Sequence, residues 1–158
     1  LKAVDTVLCM GASISQAAGF YQAYKHEQKL PNIVATIGDS TFFHAALPAV
    51  INAIHHQADI TIVVLDNSGT AMTGFQPHPG LTVDATGKEV PAIDVVKVCE
   101  AMGATVRISD PFDPGKTQQS LLDLFEIKGM KVLVLKQICA LSPEKKAKKK
   151  SSLYGGFF

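Results

Sequence analysis

Two runs of apolar, largely β-branched residues constrain the fold of this chain more than any other feature. Residues 33–38 (IVATIG) and 60–66 (ITIVVLD) lack the alternation of apolar and polar side chains that a half-exposed strand shows. Such runs are typical of strands that are buried on both faces of a parallel sheet. Residues 104–108 (ATVRI) and 132–136 (VLVLK) predict two more strands of the same kind.

Segments with a helical spacing of apolar residues alternate with these strands. They cover residues 12–26, 48–56, 92–102 and 116–128, and Pro48 suits the first position of its helix. This alternation predicts an α/β fold with a mostly parallel sheet, helices on both faces and right-handed crossovers. At 158 residues the chain is long enough for one domain with a buried core. We expect that domain to occupy residues 1–141.

The positive charge of the sequence is concentrated at one end. The formal net charge is +1, yet five lysines lie within residues 145–150, so the remainder of the chain is net negative. Nucleic-acid-binding domains instead carry positive charge over a folded face, so we expect no nucleic acid partner. We interpret residues 142–158 as a basic, mobile tail.

The cysteines and the hydropathy limit the class of protein. Cys9, Cys99 and Cys139 lie far apart and form no CxxC motif, so we expect this chain alone to hold neither zinc nor an iron–sulfur cluster. Scattered cysteines are typical of a reducing compartment, and we expect the cytoplasm. No apolar stretch reaches the roughly 20 residues that cross a bilayer, so we expect no membrane partner. Since the chain begins with Leu1 and not Met, we interpret it as a piece of a longer or processed polypeptide.

A long connection follows the second predicted strand. Residues 67–91 are rich in Gly and Pro and exceed the usual length of a connection between elements, which makes them either disordered or functional. Ligands of open α/β sheets bind at the carboxyl ends of the strands, where this segment begins, so we favour a functional loop. Within it His78, between Pro77 and Pro79, either faces the site or shapes the loop.

Polar residues stand at the ends of the first two predicted strands. Residues 38–41 (GDST) follow the first strand, and residues 66–67 (DN) end the second. Adjacent parallel strands lie about 4.8 Å apart, so Asp39 and Asn67 can reach a common ion. Mg²⁺ prefers oxygen ligands and takes only one or two of them from side chains. Gly38 allows a phosphate to approach the backbone.

These strand ends carry a resemblance to thiamine-diphosphate enzymes, whose signature is Gly-Asp-Gly, about 25 residues, then Asn-Asn. The chain reads Gly38-Asp39-Ser40, then residues 41–65, then Asp66-Asn67, and so departs at Ser40 and Asp66. Both departures occur in the 2-oxoacid:ferredoxin oxidoreductases. The longer strings at residues 9–14 (CMGASI), 38–44 (GDSTFFH) and 71–80 (AMTGFQPHPG) resemble the large subunit of the indolepyruvate ferredoxin oxidoreductases. The resemblance spans roughly residues 4–139 and covers only the diphosphate-binding domain.

The resemblance implies a role for each matching residue. Asp39 and Asn67 are expected to ligate Mg²⁺ through their side chains, and Gly69 through its carbonyl. Three groups of residues are expected to contact thiamine diphosphate: Gly38, Ser40 and Thr41 at the diphosphate; Thr70, Ala71, Met72 and Thr73 in the loop; and Cys9, Met10 and Gly11 beside the cofactor. His44 is the candidate catalytic residue on the substrate side.

The resemblance also implies an activity that this chain performs only with partners. The family oxidatively decarboxylates 2-oxoacids, here expected to be arylpyruvates such as indolepyruvate, to acyl-coenzyme A with ferredoxin as electron acceptor. The catalytic Glu and the iron–sulfur clusters are expected from other domains or subunits. We therefore expect an incomplete enzyme component that forms a hetero-oligomer with a pyrimidine-binding domain or subunit.

Three other functions remain open at this point. A thiamine-diphosphate-dependent 2-oxoacid decarboxylase or synthase shares the diphosphate domain, although residues 40–44 and 76–80 favour the oxidoreductases. A non-catalytic nucleotide-binding α/β module is the second, although neither GxGxxG nor GxxxxGK[ST] occurs in the sequence. The third is a structural subunit with a decayed site, against which the presence of both Asp39 and Asn67 argues.

Overall fold

The computed structural model describes residues 4–142, whose strands form one parallel sheet. The strands are β1 (Val34–Gly38), β2 (Ile60–Asp66), β3 (Thr105–Ser109) and β4 (Met130–Lys136). Their order across the sheet is β1-β2-β4-β3, and each neighbouring pair is parallel. All four predicted strands are confirmed, with small differences in their limits.

Helices connect the strands in the predicted order. They are α1 (Ser13–Tyr24), α2 (Asp39–Thr41), α3 (Leu47–His55), α4 (Val95–Ala101) and α5 (Pro114–Phe125). Two aspartates account for the observed starts of α4 and α5. Asp94 accepts a hydrogen bond from the backbone N–H of Val96, and Asp113 accepts one from that of Lys116. Side-chain caps of this kind satisfy N–H groups that have no partner inside the helix.

The sequence prediction was wrong about where the helix after β1 begins. It placed the start at Pro48, but helical structure begins at Asp39, immediately after the strand. A π-helical turn, Phe42–Ala46, joins α2 to α3. Such turns are rare and are found frequently at functional sites. Asp39 therefore lies in the first helical turn, directly above the carboxyl end of β1.

The core lies on both faces of the sheet, as predicted. Helices α1, α3 and α4 cover one face, where Ile14, Val50 and Cys99 pack against Ile62 and Val132. Helix α5 covers the other face, where Leu124 packs against Val63 and Leu133. Cys99 is fully buried in this apolar core, and its burial raises the pKa of the thiol to about 12.

Of the four strands in residues 4–142, the two central ones are buried on both faces. Prediction of two-sided burial was wrong for β1, where buried and exposed residues alternate and Val34 is 41% exposed. It was also wrong for β3, most of whose residues are exposed or only partly buried. Both are edge strands, and α5 packs against β3 and β4 without covering β1.

The long connection between β2 and α4, residues 67–94, has a defined conformation. Isolated bridges join Thr70 to Gln76 and Val83 to Glu89, and the carboxylate of Asp84 accepts hydrogen bonds from Thr86 and Lys88. Within residues 4–142, no helix has both the length and the apolar character to cross a membrane. The predicted mobile tail lies, apart from Ser142, outside the described residues, so the boundary at residue 141 stays a prediction.

Candidate functional site

The carboxylate of Asp39 joins the ends of β1 and β2. Asp39 is only 4% exposed. Its Oδ1 accepts a hydrogen bond from the N–H of Ser40 (2.7 Å). Its Oδ2 accepts one from the N–H of Asn67 (3.0 Å) and a longer one from that of Gly69 (3.4 Å). The two polar strand ends therefore meet at one edge of the sheet, because β1 and β2 are neighbours there.

Asn67 carries a buried acceptor without a partner. Within the described part of the chain, its side-chain oxygen Oδ1 makes no hydrogen bond. Its backbone is held in place, since its carbonyl accepts a hydrogen bond from the N–H of Cys139 (3.1 Å) beyond β4. A buried acceptor that stays unpaired costs about 1–3 kcal/mol. Such an atom, fixed beside a buried carboxylate, is what a bound cation would satisfy.

The backbone around Gly69 is tightly folded. Its carbonyl accepts a hydrogen bond from the N–H of Ala71 (2.9 Å), and a carbonyl oxygen has a second lone pair. Ser68 and Phe75 have positive φ angles of 62° and 63°. Residues other than glycine rarely adopt this conformation, and it is concentrated at functional sites. Gly69 therefore lies in a strained turn with one lone pair of its carbonyl free of that hydrogen bond.

Asp66, where the family signature has its first Asn, is engaged in the turn itself. Its Oδ1 accepts a hydrogen bond from the N–H of Ser68 (3.2 Å), and its Oδ2 lies 3.7 Å from Nζ of Lys136. Burial raises the pKa of the Asp66 carboxyl, although Lys136 opposes this effect. Asp66 thus helps to fix the backbone that carries Asn67.

Open space and hydroxyl groups lie on the other side of Asp39. A Cβ atom built on Gly38 would meet no heavy atom within 4 Å. Ser40 and Thr70 face each other across the two loops, and Oγ1 of Thr70 donates to Oγ of Ser40 (2.8 Å). Two hydroxyl groups beside an open stretch of backbone suit the oxygens of a phosphate group.

Residues 9–11 pack against the helical turn after β1. A Cβ atom on Gly11 would lie 2.8 Å from Cβ of Ala45 and 3.8 Å from Cγ2 of Thr41, so only glycine fits there. Gly11 also has a φ of +87°, which favours glycine. The structure therefore brings the predicted residues Gly11 and Thr41 close together. Next to Gly11, Cys9 is exposed, and Met10 is 80% exposed.

The predicted loop residues 70–73 form an exposed turn. Residues Ala71–Thr73 make one 3₁₀ turn, in which Met72 is 96% exposed. Oγ1 of Thr73 donates to Oε1 of Gln76 (2.6 Å), which ties the turn to the strand-like segment that follows. The backbone of this loop is fixed, and the Met72 side chain is left free for contact with a ligand or another protein surface.

His44, the candidate catalytic residue, is exposed in the π-helical turn. Its Nδ1 lies 2.7 Å from the carbonyl oxygen of Ser40, and since a carbonyl only accepts, Nδ1 is the donor. This bond leaves Nε2 of the neutral ring as an acceptor. The role of His44 toward a substrate stays a prediction.

His78 joins the site from far along the chain, and sequence reasoning left its place open. Its side chain is 2% exposed, and its Nε2 lies 3.2 Å from Oδ2 of Asp39. The ring stacks on that of Phe43, with centroids 5.6 Å apart. The prolines on either side of His78 indicate a restricted loop in the sequence, but they do not indicate which groups the ring contacts.

The site has a carboxylate, an amide oxygen and a carbonyl, and little positive charge. Within residues 4–142, Asp39 has no Lys or Arg as an ion-pair partner. No group of three or more His, Cys, Asp or Glu side chains suited to a metal occurs in the described residues either. A cation held here would therefore take oxygen ligands from Asp39, Asn67 and Gly69, and the others from its own anionic ligand or water. Mg²⁺ suits such a set of ligands, because it usually takes one or two carboxylates from the protein and further oxygens from phosphate and water.

Residues 3–135 match the family model described as "Thiamine pyrophosphate enzyme, C-terminal TPP binding domain"; thiamine pyrophosphate is another name for thiamine diphosphate. The chain is 44% identical to the indolepyruvate oxidoreductase subunit IorA of Thermococcus kodakarensis, over 89% of this chain and 23% of that protein. It is 42% identical to the protein of the same name from Methanothermobacter thermautotrophicus, over 89% of this chain and 22% of that one.

Solved structures support the fold. The chain superposes with a TM-score of 0.61 on a putative thiamin diphosphate-dependent enzyme from Mycobacterium smegmatis, at 21% identity, covering 83% of this chain and 22% of that one. Benzoylformate decarboxylase from Polynucleobacter necessarius gives a TM-score of 0.57 at 19% identity, covering 80% and 23% of the two chains. The predicted fold and the resemblance to indolepyruvate oxidoreductases are confirmed. The chain spans less than a quarter of the length of the curated relatives named above.

Proposed function

This chain belongs to the family of C-terminal cofactor-binding domains of thiamine pyrophosphate enzymes, and we propose that it holds the diphosphate of the cofactor through Mg²⁺. The observation that carries the proposal is the unpaired Oδ1 of Asn67 beside the buried carboxylate of Asp39. We assign both side chains, together with the carbonyl of Gly69, as Mg²⁺ ligands. These are hard oxygen donors from two neighbouring strand ends, which fits the preference of the ion.

Charge supports the need for a cation at this place. A diphosphate carries several negative charges, and Asp39 and Asp66 would add two more. Lys136 is already paired with Asp66, and Asp39 has no Lys or Arg partner within the described residues. Without a divalent cation, the repulsion between the carboxylates and the diphosphate would disfavour binding. With Mg²⁺ between the diphosphate and Asp39, the carboxylate of Asp39 would attract the complex of Mg²⁺ and diphosphate.

The diphosphate is assigned to the open backbone beside Gly38 and to the hydroxyl groups next to it. A Cβ atom at Gly38 would fill space that is open here. Ser40 and Thr70 already share one hydrogen bond, and either hydroxyl can turn toward a phosphate oxygen. Thr41 belongs to the same helical turn. Thr70, Ala71, Met72 and Thr73 would contact the cofactor from the β2 loop, and Cys9, Met10 and Gly11 from the turn before α1.

The activity assigned to the complete enzyme is the oxidative decarboxylation of 2-oxoacids, arylpyruvates such as indolepyruvate, to acyl-coenzyme A with ferredoxin as acceptor. The high identity to the indolepyruvate oxidoreductase subunits supports this reaction class. Thiamine diphosphate, when bound, would supply a nucleophilic carbon for chemistry at the carbonyl of a 2-oxoacid. The residues of this chain bind and orient the cofactor, and His44, with its free Nε2, is assigned to the substrate side.

The remaining parts of the reaction are assigned to partners in the cytoplasm. A pyrimidine-binding domain or subunit would cover the other half of the cofactor, and partner-borne iron–sulfur clusters would carry electrons to ferredoxin. Exposed apolar side chains near the site, among them Met10 at 80% and Met72 at 96%, support such a contact. The expected assembly is a hetero-oligomer, which is supported by the naming of the relatives as subunits of an oxidoreductase.

Calorimetric titration of the assembled enzyme with thiamine diphosphate, with and without Mg²⁺, tests the metal site. Asp39→Asn is expected to weaken Mg²⁺-dependent binding by about 100-fold or more, which is about 2.7 kcal/mol. Asp84→Asn is the matched control, because Asp84 is a partly exposed aspartate of the connection between β2 and α4 that accepts hydrogen bonds from Thr86 and Lys88, and its replacement is expected to leave binding unchanged. Binding without Mg²⁺, or equal binding by both variants, would contradict the proposal. Dependence of turnover on coenzyme A and a low-potential acceptor separates the oxidoreductase from a simple decarboxylase.

A further inference from the structure

Of the five histidines in the chain, His78 is the one that is buried. The other four are exposed. His78 comes from the middle of the long connection, yet its ring is carried to the first helical turn after β1. A buried polar side chain brought from so far along the sequence needs a physical reason, since an imidazole is costly to bury without partners.

The ring of His78 is held in one orientation by its neighbours. One face stacks on Phe43, with an interplanar angle of 23°. Gly80 closes the arrangement, because a Cβ atom there would lie 2.7 Å from Cε2 of Phe43 and 3.0 Å from Cε1 of His78. The absence of a side chain at Gly80 therefore lets the loop fold tightly around both rings.

The backbone also selects the tautomer of His78. The N–H of Gly80 donates a hydrogen bond to Nδ1 (3.1 Å), which makes Nδ1 the acceptor. In the neutral ring the proton then lies on Nε2. That nitrogen is 3.2 Å from Oδ2 of Asp39, so the only N–H of the ring is next to the carboxylate.

The contact between His78 and Asp39 has the distance of a hydrogen bond but not its alignment. The separation is short enough for a hydrogen bond, but Nε2 is not aligned well enough to form one. Both side chains are buried, Asp39 at 4% and His78 at 6% exposure. Functional hydrogen bonds are often poorly aligned before a ligand binds and tighten afterwards. Oδ2 also accepts hydrogen bonds from the N–H groups of Asn67 and Gly69, which compete with Nε2–H of His78 for the same oxygen.

We propose that His78 is a positioning residue that orients the Asp39 carboxylate for Mg²⁺ through its Nε2–H group. The inference rests on the proposed function, because it concerns the same metal site. His78 acts through Asp39 and does not ligate the ion itself, since Mg²⁺ prefers oxygen ligands. Hydrogen-bonding partners of metal ligands fix the orientation of those ligands, and their loss typically costs about 10–100-fold in metal affinity.

Two substitutions separate the donor from the packing of the ring. His78→Phe keeps an aromatic ring on Phe43 and removes the N–H. His78→Gln keeps an N–H donor at the position of Nε2 and removes the ring. Both lose the acceptor for Gly80, so that cost is matched between them. His55→Phe, on the exposed end of α3, controls for the loss of a histidine as such.

The readout is the apparent Kd for Mg²⁺ of the assembled enzyme at saturating thiamine diphosphate, beside thermal unfolding without either ligand. We expect His78→Phe to weaken Mg²⁺ binding by about 10–100-fold and His78→Gln to restore most of that loss. His55→Phe is expected to bind like the wild type. Wild-type affinity in His78→Phe, or a loss in His78→Gln as large as that in His78→Phe, would overturn the inference.

The same titrations distinguish a failure of this inference from a failure of the proposed function. If Asp39→Asn loses Mg²⁺-dependent binding and His78→Phe keeps it, the metal site stands and the positioning role of His78 is wrong. If the wild-type enzyme shows no Mg²⁺-dependent binding, the proposed function is wrong and the inference falls with it.

Discussion

The two ends of the parallel sheet differ in whether their buried polar groups have partners. At the amino end, Asp59 precedes β2 and pairs with the ammonium group of Lys131 in β4, a residue that is 4% exposed. Lys128 lies 3.3 Å from the same carboxylate. At the carboxyl end, Oδ1 of Asn67 and Nε2 of His78 are buried without a hydrogen bond among the described residues.

The pKa values of two aspartates also differ between the two ends of the sheet. Burial alone would raise the pKa of Asp59, but the hydrogen bonds and charges of Lys131 and Lys128 outweigh it and lower the pKa. For Asp66, burial prevails over Lys136 and the pKa is raised. Natural sequences leave such local conflicts mainly at functional sites. The amino end therefore contributes stability, and the carboxyl end keeps unpaired groups for a ligand.

The largest expected effect on stability lies at the amino end, in Asp59→Asn. The substitution leaves the ammonium group of Lys131 buried without a carboxylate, which typically costs about 3–5 kcal/mol. Urea unfolding of the chain measures this loss. The double variant Asp59→Asn/Lys131→Met removes both charges and is expected to recover most of the stability. A loss below about 1 kcal/mol in the single variant would mean that the buried pair does not stabilise the amino end.

Asn67→Ala is expected to show the opposite pattern at the carboxyl end. Because Oδ1 of Asn67 is buried without a hydrogen-bond partner among the described residues, its removal should not lower the free energy of unfolding and is expected to raise it by up to about 1–3 kcal/mol. Affinity for Mg²⁺ at saturating thiamine diphosphate should fall by about 100-fold, or about 2.7 kcal/mol. Asn52→Ala, an exposed change on α3, serves as the control in both measurements. Unchanged metal affinity together with reduced stability would assign Asn67 to the fold and not to the site.

The smallest expected effect is the change of stability with pH, which tests the ion pair of Asp59 at the amino end. The pKa of Asp59 is lowered in the folded chain from its ordinary 3.8. Its ionised form therefore stabilises the fold fully above pH 3.8, and this contribution is lost as the pH falls through the folded pKa below that value. Unfolding of the wild type and of Asp59→Asn at a series of acidic pH values should show a difference in stability that shrinks below pH 3.8. A difference that is independent of pH would contradict the ion pair.

Much of this sheet was predictable because its central strands have an unambiguous pattern. Residues 60–66 are largely apolar, and such a run is typical of a strand that is covered on both faces. The same reasoning overestimated the burial of β1, since a run such as residues 33–38 does not reveal that its strand lies at an edge. Strand order follows from contacts between distant segments, which the local pattern does not contain.

The candidate site was predictable only in part, because some of its contacts also join distant segments of the chain. Asp39 and Asn67 follow their strands directly, so neighbouring strands were enough to bring them together. The early helix start was missed because Gly-Asp-Ser is as compatible with a turn as with the first turn of a helix. The place of His78 depends on how the whole connection folds back, and on the fit of Gly80 against two rings. Neither property can be read from residue types in sequence.

A crystal structure of the assembled enzyme with thiamine diphosphate and Mg²⁺ tests the central claim most directly. We expect a Mg²⁺ ion about 2.0–2.1 Å from Oδ1 of Asn67, from a carboxylate oxygen of Asp39 and from the carbonyl oxygen of Gly69. Phosphate oxygens should complete its coordination beside Gly38. An ion bound elsewhere, or a diphosphate bound with Asn67 outside the coordination of the metal, would contradict it.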